Sequence, residues 1–140
     1  KVQGALRGLN PDTVRCGPVH GDYQFANVLK TQEGSIAILD FDTCGIGYCA
    51  EDLFTFIWRS DMEIQDEQIN EAFLSGYESV RPLKPVEKAL YPTFRVARDL
   101  VMSSSFAILI NRVGPVPGFD GDFGPFTDLT RQHLVDAGLD

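Results

Sequence analysis

Three oxygen-bearing side chains, Asp22, Asn27 and Asp40, have the types and the order that phosphoryl transfer requires. They lie in residues 20–29, which read HGDYQFANVL, and in residues 36–42, which read IAILDFD. Phosphoryl transfer needs one group that takes the proton of a hydroxyl, and oxygen ligands that hold Mg²⁺, a hard cation. The pattern therefore predicts a general base at Asp22 and magnesium ligands at Asn27 and Asp40.

These segments resemble motifs of the aminoglycoside phosphotransferase family, small-molecule kinases that include choline- and homoserine-kinase-like enzymes. Residues 20–27 match HGD....N, residues 39–41 match hDF, and residues 45–53 match GxGxxxxDL. The resemblance implies an α+β fold, the C-terminal lobe of a protein-kinase-like enzyme, mainly helical with a small β-hairpin that carries the catalytic motifs. It also implies ATP as phosphoryl donor, Mg²⁺ as cofactor and a small-molecule hydroxyl as acceptor.

The other motif residues are expected to support this centre. Asp42 either assists a second metal ion or faces solvent. His20 is expected to pack under the catalytic loop as a structural residue, and Gly21 replaces the arginine that meets a phosphorylated activation segment in protein kinases. The resemblance implies that Asp52 accepts hydrogen bonds from backbone amides around His20 and Gly21, although the helix dipole also favours an acid at this position.

Short apolar segments predict the strands that position these side chains. They cover residues 14–19, 25–30 and 35–39. A turn at residues 33–34 makes a hairpin of the last two, which brings Asn27 beside Asp40. Gly45 and Gly47 predict a break in regular structure after Asp42.

Most of the remaining chain has helical periodicity. Helices are predicted over residues 1–8, 51–60, 66–81, 86–110 and 126–137. Asp66 is the expected N-cap of its helix, and Pro92 predicts either a kink or a new start. Residues 114–125 predict a loop. Its DFG at residues 122–124, with the nearby Gly118 and Gly121, is interpreted as loop composition because no apolar strand precedes it.

Length and composition bound the other possibilities. The 140 residues, 44% hydrophobic, predict a single domain over residues 1–140. Acidic residues outnumber basic ones by 20 to 12, which disfavours nucleic acid as a partner and suits a cationic acceptor. Acids such as Asp99 are nevertheless expected to be solvated surface charges. Three cysteines without C-x-x-C spacing favour a reducing, cytoplasmic setting, and no apolar run is long enough to predict a membrane span.

No G-x-G-x-x-G-x-V loop and no V-A-I-K lysine precede the catalytic loop. We therefore expect a C-terminal lobe without its N-terminal nucleotide-binding lobe, inactive alone. The face that such a lobe would cover is expected to be apolar and to favour a homodimer.

Two alternatives remain open at this point. Residues 37–43, AILDFDT, also resemble the start of haloacid-dehalogenase-like phosphatases, in which Asp40 would be the nucleophile and Asp42 the acid. The second alternative is a non-catalytic kinase-like module that binds a partner.

Overall fold

The structure, a computed structural model, describes residues 1–10, 12–114 and 122–139. The chain divides into two compact units. One is Leu9–Tyr91, and the other combines Lys1–Gly8 with Pro92–Asp140. Every side chain of the predicted site lies in the Leu9–Tyr91 unit, so its geometry is decided within that unit.

The described residues form four short strands and six α-helices. The strands are β1 Cys16–Val19, β2 Val28–Lys30, β3 Ile36–Ile38 and β4 Gly45–Tyr48. The helices are α1 Val2–Arg7, α2 Ala50–Glu63, α3 Glu67–Val80, α4 Pro85–Lys88, α5 Tyr91–Val113 and α6 Gly124–Asp136. The predicted mainly helical α+β architecture with a small hairpin is confirmed.

The predicted hairpin is formed by β2 and β3. These strands are antiparallel with Val28 opposite Ile38, and Gly34 occupies the left-handed region of the turn with a φ of 86°. The predicted strand over residues 25–30 is only half right, because Phe25–Asn27 is a 3₁₀ turn and the strand starts at Val28.

The break predicted at Gly45 and Gly47 is wrong, because these residues form β4. This strand pairs antiparallel with β1, with Gly17 opposite Gly47. A Cβ atom on Gly47 would lie 3.0 Å from both Val19 and Glu51, so the missing side chain allows the strand to approach its neighbours. Glycine permits close contact here instead of ending the strand.

The core of the Leu9–Tyr91 unit is centred on α2. Four of its large apolar side chains, Leu53, Phe54, Ile57 and Trp58, are buried at the i, i+4 spacing of one helix face. The predicted N-cap of the next helix is also present, since the Asp66 carboxylate accepts a hydrogen bond from the Gln68 N–H at 3.0 Å.

A buried carboxylate joins α4 to the start of β1. Glu87 is 1% exposed, and its side chain accepts hydrogen bonds from the backbone N–H groups of Lys84 at 2.8 Å and Arg15 at 3.2 Å. The periodicity of the sequence did not indicate this role. Glu87 fixes the beginning of the strand that leads into the loop with the HGD motif.

In the other unit, α5 and α6 are connected by polar side chains. Asp99 is wholly buried and lies 2.6 Å from His133 Nδ1, so the expectation of a solvated surface charge at Asp99 is wrong. On the surface, Arg95 pairs with Asp136, whose pKa is lowered first by the Gln132 side-chain hydrogen bond and further by Arg95. These contacts hold the two helices together across 34 and 41 residues of sequence.

The proline and glycine signals of the C-terminal half have simple structural outcomes. Pro92 is the second residue of α5, so a new helix starts there. Asp122 accepts a hydrogen bond from the Gly124 N–H at 2.8 Å, at the start of α6, while Gly118 and Gly121 lie outside the described residues. Within the described ranges, no helix combines the length and the apolar character needed to cross a membrane.

Candidate active site

The loop after β1 carries the HGD motif and needs glycine at position 21. Gly21 has a φ of 81°, and a Cβ atom there would lie 2.4 Å from the carbonyl oxygen of Thr43. The Asp52 carboxylate accepts hydrogen bonds from the His20 N–H at 2.7 Å and from the Gly21 N–H at 2.8 Å. The family resemblance implied these two hydrogen bonds, and they connect α2 to the loop.

His20 connects the HGD loop to the end of β3. Its Nδ1 accepts a hydrogen bond from the Asp22 N–H at 3.3 Å, so Nε2 carries the ring proton and donates to the Leu39 carbonyl at 2.8 Å. The ring is buried and lies 4.6 Å from the Phe41 ring, centroid to centroid. With both nitrogens engaged, the imidazole has the geometry of a structural residue rather than of a base.

The half-buried Asp22 carboxylate is held by two side-chain amides. Its Oδ2 accepts hydrogen bonds from Gln24 Nε2 at 2.9 Å and from Asn27 Nδ2 at 3.2 Å. Asn27 Nδ2 also lies 3.0 Å from the Asp22 carbonyl oxygen. Gln24 was not among the predicted site residues, although an amide side chain two residues after the expected base was a signal for it.

Asn27 and Asp40 lie at neighbouring positions of the hairpin. The Leu39 N–H donates to the Asn27 carbonyl at 2.9 Å, which places Asp40 one residue beyond the pairing partner of Asn27. Asp40 is exposed and has a φ of 62°, in the left-handed region that non-glycine residues rarely occupy. Such backbone strain is concentrated at functional sites. Asp42 lies two residues further on, in an exposed turn.

The donor atoms suit a magnesium ion held by a few protein oxygens. Because Asn27 Nδ2 donates to Asp22, its Oδ1 is the ligand atom that remains, and Asp40 offers an exposed carboxylate. The described residues contain no group of three or more His, Cys, Asp or Glu side chains that could hold a metal. Mg²⁺ usually binds one or two carboxylates and completes its shell with water and substrate phosphates, so one amide oxygen and one carboxylate fit this ion.

Residues 2–90 match the sequence model described as the phosphotransferase enzyme family. The chain belongs to this family. The match covers the whole site and nearly all of the Leu9–Tyr91 unit, and it confirms the recognition made from the motifs.

Two relatives share parts of the sequence. An uncharacterised protein of Deinococcus radiodurans is 35% identical over 104 residues, which are 71% of this chain and 30% of that protein. An uncharacterised protein of Synechocystis sp. is 40% identical over 68 residues, 49% of this chain and 19% of that protein. The matched segments therefore cover less than a third of the length of either relative.

Two solved structures share the fold. An amicoumacin kinase, determined in complex with AMP-PNP, Ca²⁺ and Ami, has a TM-score of 0.72 and 21% identity over 96% of this chain and 42% of its own. A microcompartment-associated aminopropanol kinase has a TM-score of 0.63 and 24% identity over 99% of this chain and 45% of its own. The kinase-like fold of the C-terminal lobe is thus confirmed.

The haloacid-dehalogenase interpretation of Asp40 and Asp42 is wrong. That fold requires a parallel, doubly wound sheet, whereas β3, the strand before Asp40, pairs antiparallel with β2. The family match to residues 2–90 also excludes it.

Proposed function

We propose that the chain is the catalytic lobe of an ATP-dependent phosphotransferase that moves the γ-phosphoryl group to a hydroxyl of a small molecule. The observation that carries this proposal is the Asp22 carboxylate, oriented by two amides on a loop that His20 connects to the segment ending at Asp40. Membership of the phosphotransferase family supports it. The acceptors we propose are aminoglycoside-, choline- or homoserine-like hydroxyl compounds.

Asp22 is assigned as the general base. Its carboxylate is assigned to the acceptor hydroxyl, which it orients and deprotonates as transfer proceeds. His20, Gly21 and Asp52 hold the loop in the conformation that presents this carboxylate.

Asn27 and Asp40 are assigned as ligands of Mg²⁺, and Asp42 as an assisting acid. When bound, the ion neutralises charge on the nucleotide phosphates. Mn²⁺ with AMP-PNP tests the assignment, because the paramagnetic ion should broaden the amide signals around residues 27 and 40. We expect Asp40→Asn to abolish this broadening and Asp128→Asn, an exposed acid in α6, to leave it intact. Equal broadening in both variants would remove Asp40 from the ligand set.

The activity test is an ATP-consumption screen of hydroxyl compounds with the complete enzyme, in which this lobe is joined to a nucleotide-binding lobe, and with the Asp22→Asn variant of that enzyme. Loss of the base should lower kcat by about 100-fold or more, while the unfolding temperature stays the same. Unchanged turnover in the variant would contradict the role of Asp22. Acceptor binding by the wild-type protein without ATP consumption would favour the non-catalytic module.

We also propose that the strands of this unit support self-association. Ile36 and Ile38 are 61% and 42% exposed on one face of β3, and Ile46 on β4 is 80% exposed. Sedimentation equilibrium should show dimers that Ile36→Lys weakens. A strictly monomeric protein at high concentration contradicts this proposal.

A further inference from the structure

A cavity of about 270 Å³ lies between β1, the start of α2 and the C-terminal half of α3. Its lining, taken over the described part of the chain, does not include Asp22, Asn27 or Asp40. The volume is slightly below the range of about 300–1,000 Å³ that is typical of drug-sized ligands. The space therefore suits a compound of one or two rings.

Aromatic side chains form one wall of this cavity. The rings of Tyr23 and Phe73 are inclined by only 25° with centroids 6.1 Å apart, and Phe73 in turn stacks on Phe56 at 3.8 Å. Tyr77, one helical turn after Phe73, also lines the space. A wall of packed, nearly parallel rings favours a flat apolar ligand.

The charged groups of the cavity differ in how they are compensated. The Asp52 carboxylate is engaged by the two backbone N–H groups of His20 and Gly21. Arg81, in contrast, lines the cavity together with Cys49 and Tyr77, and the pKa of Arg81 is raised first by the Cys49 side chain and further by Tyr77. No ion pair with a carboxylate is found for Arg81 among the residues described. Within the described part of the chain, the cavity thus presents a permanent cation that forms no ion pair with a carboxylate.

We propose that this cavity is a binding site for a small aromatic anion, with the ring against Tyr23 and Phe73 and the anionic group on Arg81. This site goes beyond the proposed phosphotransfer and does not depend on it. Asp52 lines the cavity and accepts hydrogen bonds from the N–H groups of His20 and Gly21. A ligand in the cavity therefore contacts a residue that holds the HGD loop. Tyr23, directly after Asp22, is a second point of contact.

Titration of the 140-residue chain with 2-naphthoate, followed by amide chemical shifts, tests this proposal. We expect saturable shifts at Cys49, Tyr77 and Arg81, together with shifts at His20 and Gly21. Arg81→Gln should weaken binding about tenfold or more, because a hydrogen bond to a charged group is lost. Lys88→Gln, which removes a cation that pairs with Glu78, is the matched control and should not change the affinity.

A second comparison uses the wild-type protein only, so it holds even if Arg81→Gln does not fold. The neutral 2-naphthylmethanol should bind about tenfold more weakly than 2-naphthoate. Equal affinity of the two compounds, an unchanged affinity in a folded Arg81→Gln variant, or no saturable binding of 2-naphthoate would overturn the proposal. None of these results affects the assignment of Asp22, which the kinetic test decides separately.

Discussion

The Asn27 side-chain amide donates a hydrogen bond to one oxygen of the Asp22 carboxylate. The orientation of the proposed general base therefore depends on the proposed metal ligand. The amide of Asn27 contacts Asp22 Oδ2 at 3.2 Å, and the amide of Gln24 contacts the same atom at 2.9 Å. A change at either amide therefore alters the orientation of the base as well as its own contacts.

The first prediction concerns Gln24, a positioning residue. Gln24→Ala removes one of the two donors that hold Asp22 Oδ2, so the carboxylate gains rotational freedom and kcat should fall about tenfold. The KM for the acceptor should change little, since Gln24 is assigned no contact with it. Gln68→Ala, an exposed glutamine in the first turn of α3, is the control for steady-state kinetics. A kcat of Gln24→Ala equal to that of the control argues against this role.

The second prediction separates backbone strain from steric conflict at Gly21. Gly21 and Gly34 have similar positive φ values, 81° and 86°, but a Cβ atom added at Gly34 would meet nothing within 4 Å, whereas one at Gly21 would meet Thr43. Gly34→Ala should cost about 1–2 kcal/mol of unfolding free energy, the usual penalty of the left-handed region. Gly21→Ala should cost more, because the Thr43 carbonyl must also move.

Urea unfolding of both alanine variants measures this difference. Equal losses of stability would show that the loop tolerates a side chain at position 21 and that Thr43 does not restrict it.

At the level of elements, two antiparallel strand pairs determine where the motifs meet. β1 ends at Val19, directly before the HGD loop, and its pairing with β4 brings Gly45 opposite Val19. The β2–β3 hairpin brings Asn27 and Leu39 together. The site therefore depends on two strand pairs and on the α2 carboxylate of Asp52, which connects to the loop between them.

The third prediction concerns the attachment of α4 to β1. Glu87→Ala leaves the N–H groups of Arg15 and Lys84 without their carboxylate acceptor, and each such group costs about 1–3 kcal/mol when it is buried. We expect a loss of about 2–4 kcal/mol in unfolding free energy by urea denaturation. Glu71→Ala, an exposed acid of α3, should change stability by less than about 0.5 kcal/mol. If both variants lose less than about 0.5 kcal/mol of unfolding free energy, water must accept the hydrogen bonds of the Arg15 and Lys84 N–H groups in place of the carboxylate.

For the whole molecule, the fourth prediction is weak nucleotide binding. The 140 residues carry 12 basic and 20 acidic side chains and contain neither a G-x-G-x-x-G-x-V loop nor a V-A-I-K lysine. Without these groups the phosphates of ATP meet few cations, so we expect a Kd for Mg-ATP of about 1 mM or weaker. Isothermal titration of this polypeptide measures the Kd, and a micromolar value would contradict this expectation.

The local features of the chain were predictable because neighbouring residues produce them. The N-cap at Asp66, the hairpin turn at Gly34 and the buried face of α2 all depend on residues within a few positions of each other. The order of Asp22, Asn27 and Asp40 likewise led to the proposed chemistry, since motif spacing is itself a property of the sequence.

The features that sequence reasoning missed depend on contacts between distant residues. Glu87 meets Arg15 across 72 positions, and Asp99 meets His133 across 34, so neither burial follows from local periodicity. From the sequence alone, Gly47 predicts a break in the strand. Only the structure shows that Val19 packs against Gly47 and that the strand continues there.

The sequence by itself therefore determined the family, the helices and the set of side chains proposed for catalysis, because local spacing encodes them. Only the tertiary structure decided which oxygen of Asp22 is held, why Gly21 must lack a side chain and where Arg81 lies in a cavity. The physical reason is that hydrogen-bond geometry and close packing are properties of atoms in space, and the chain brings those atoms together only when it folds.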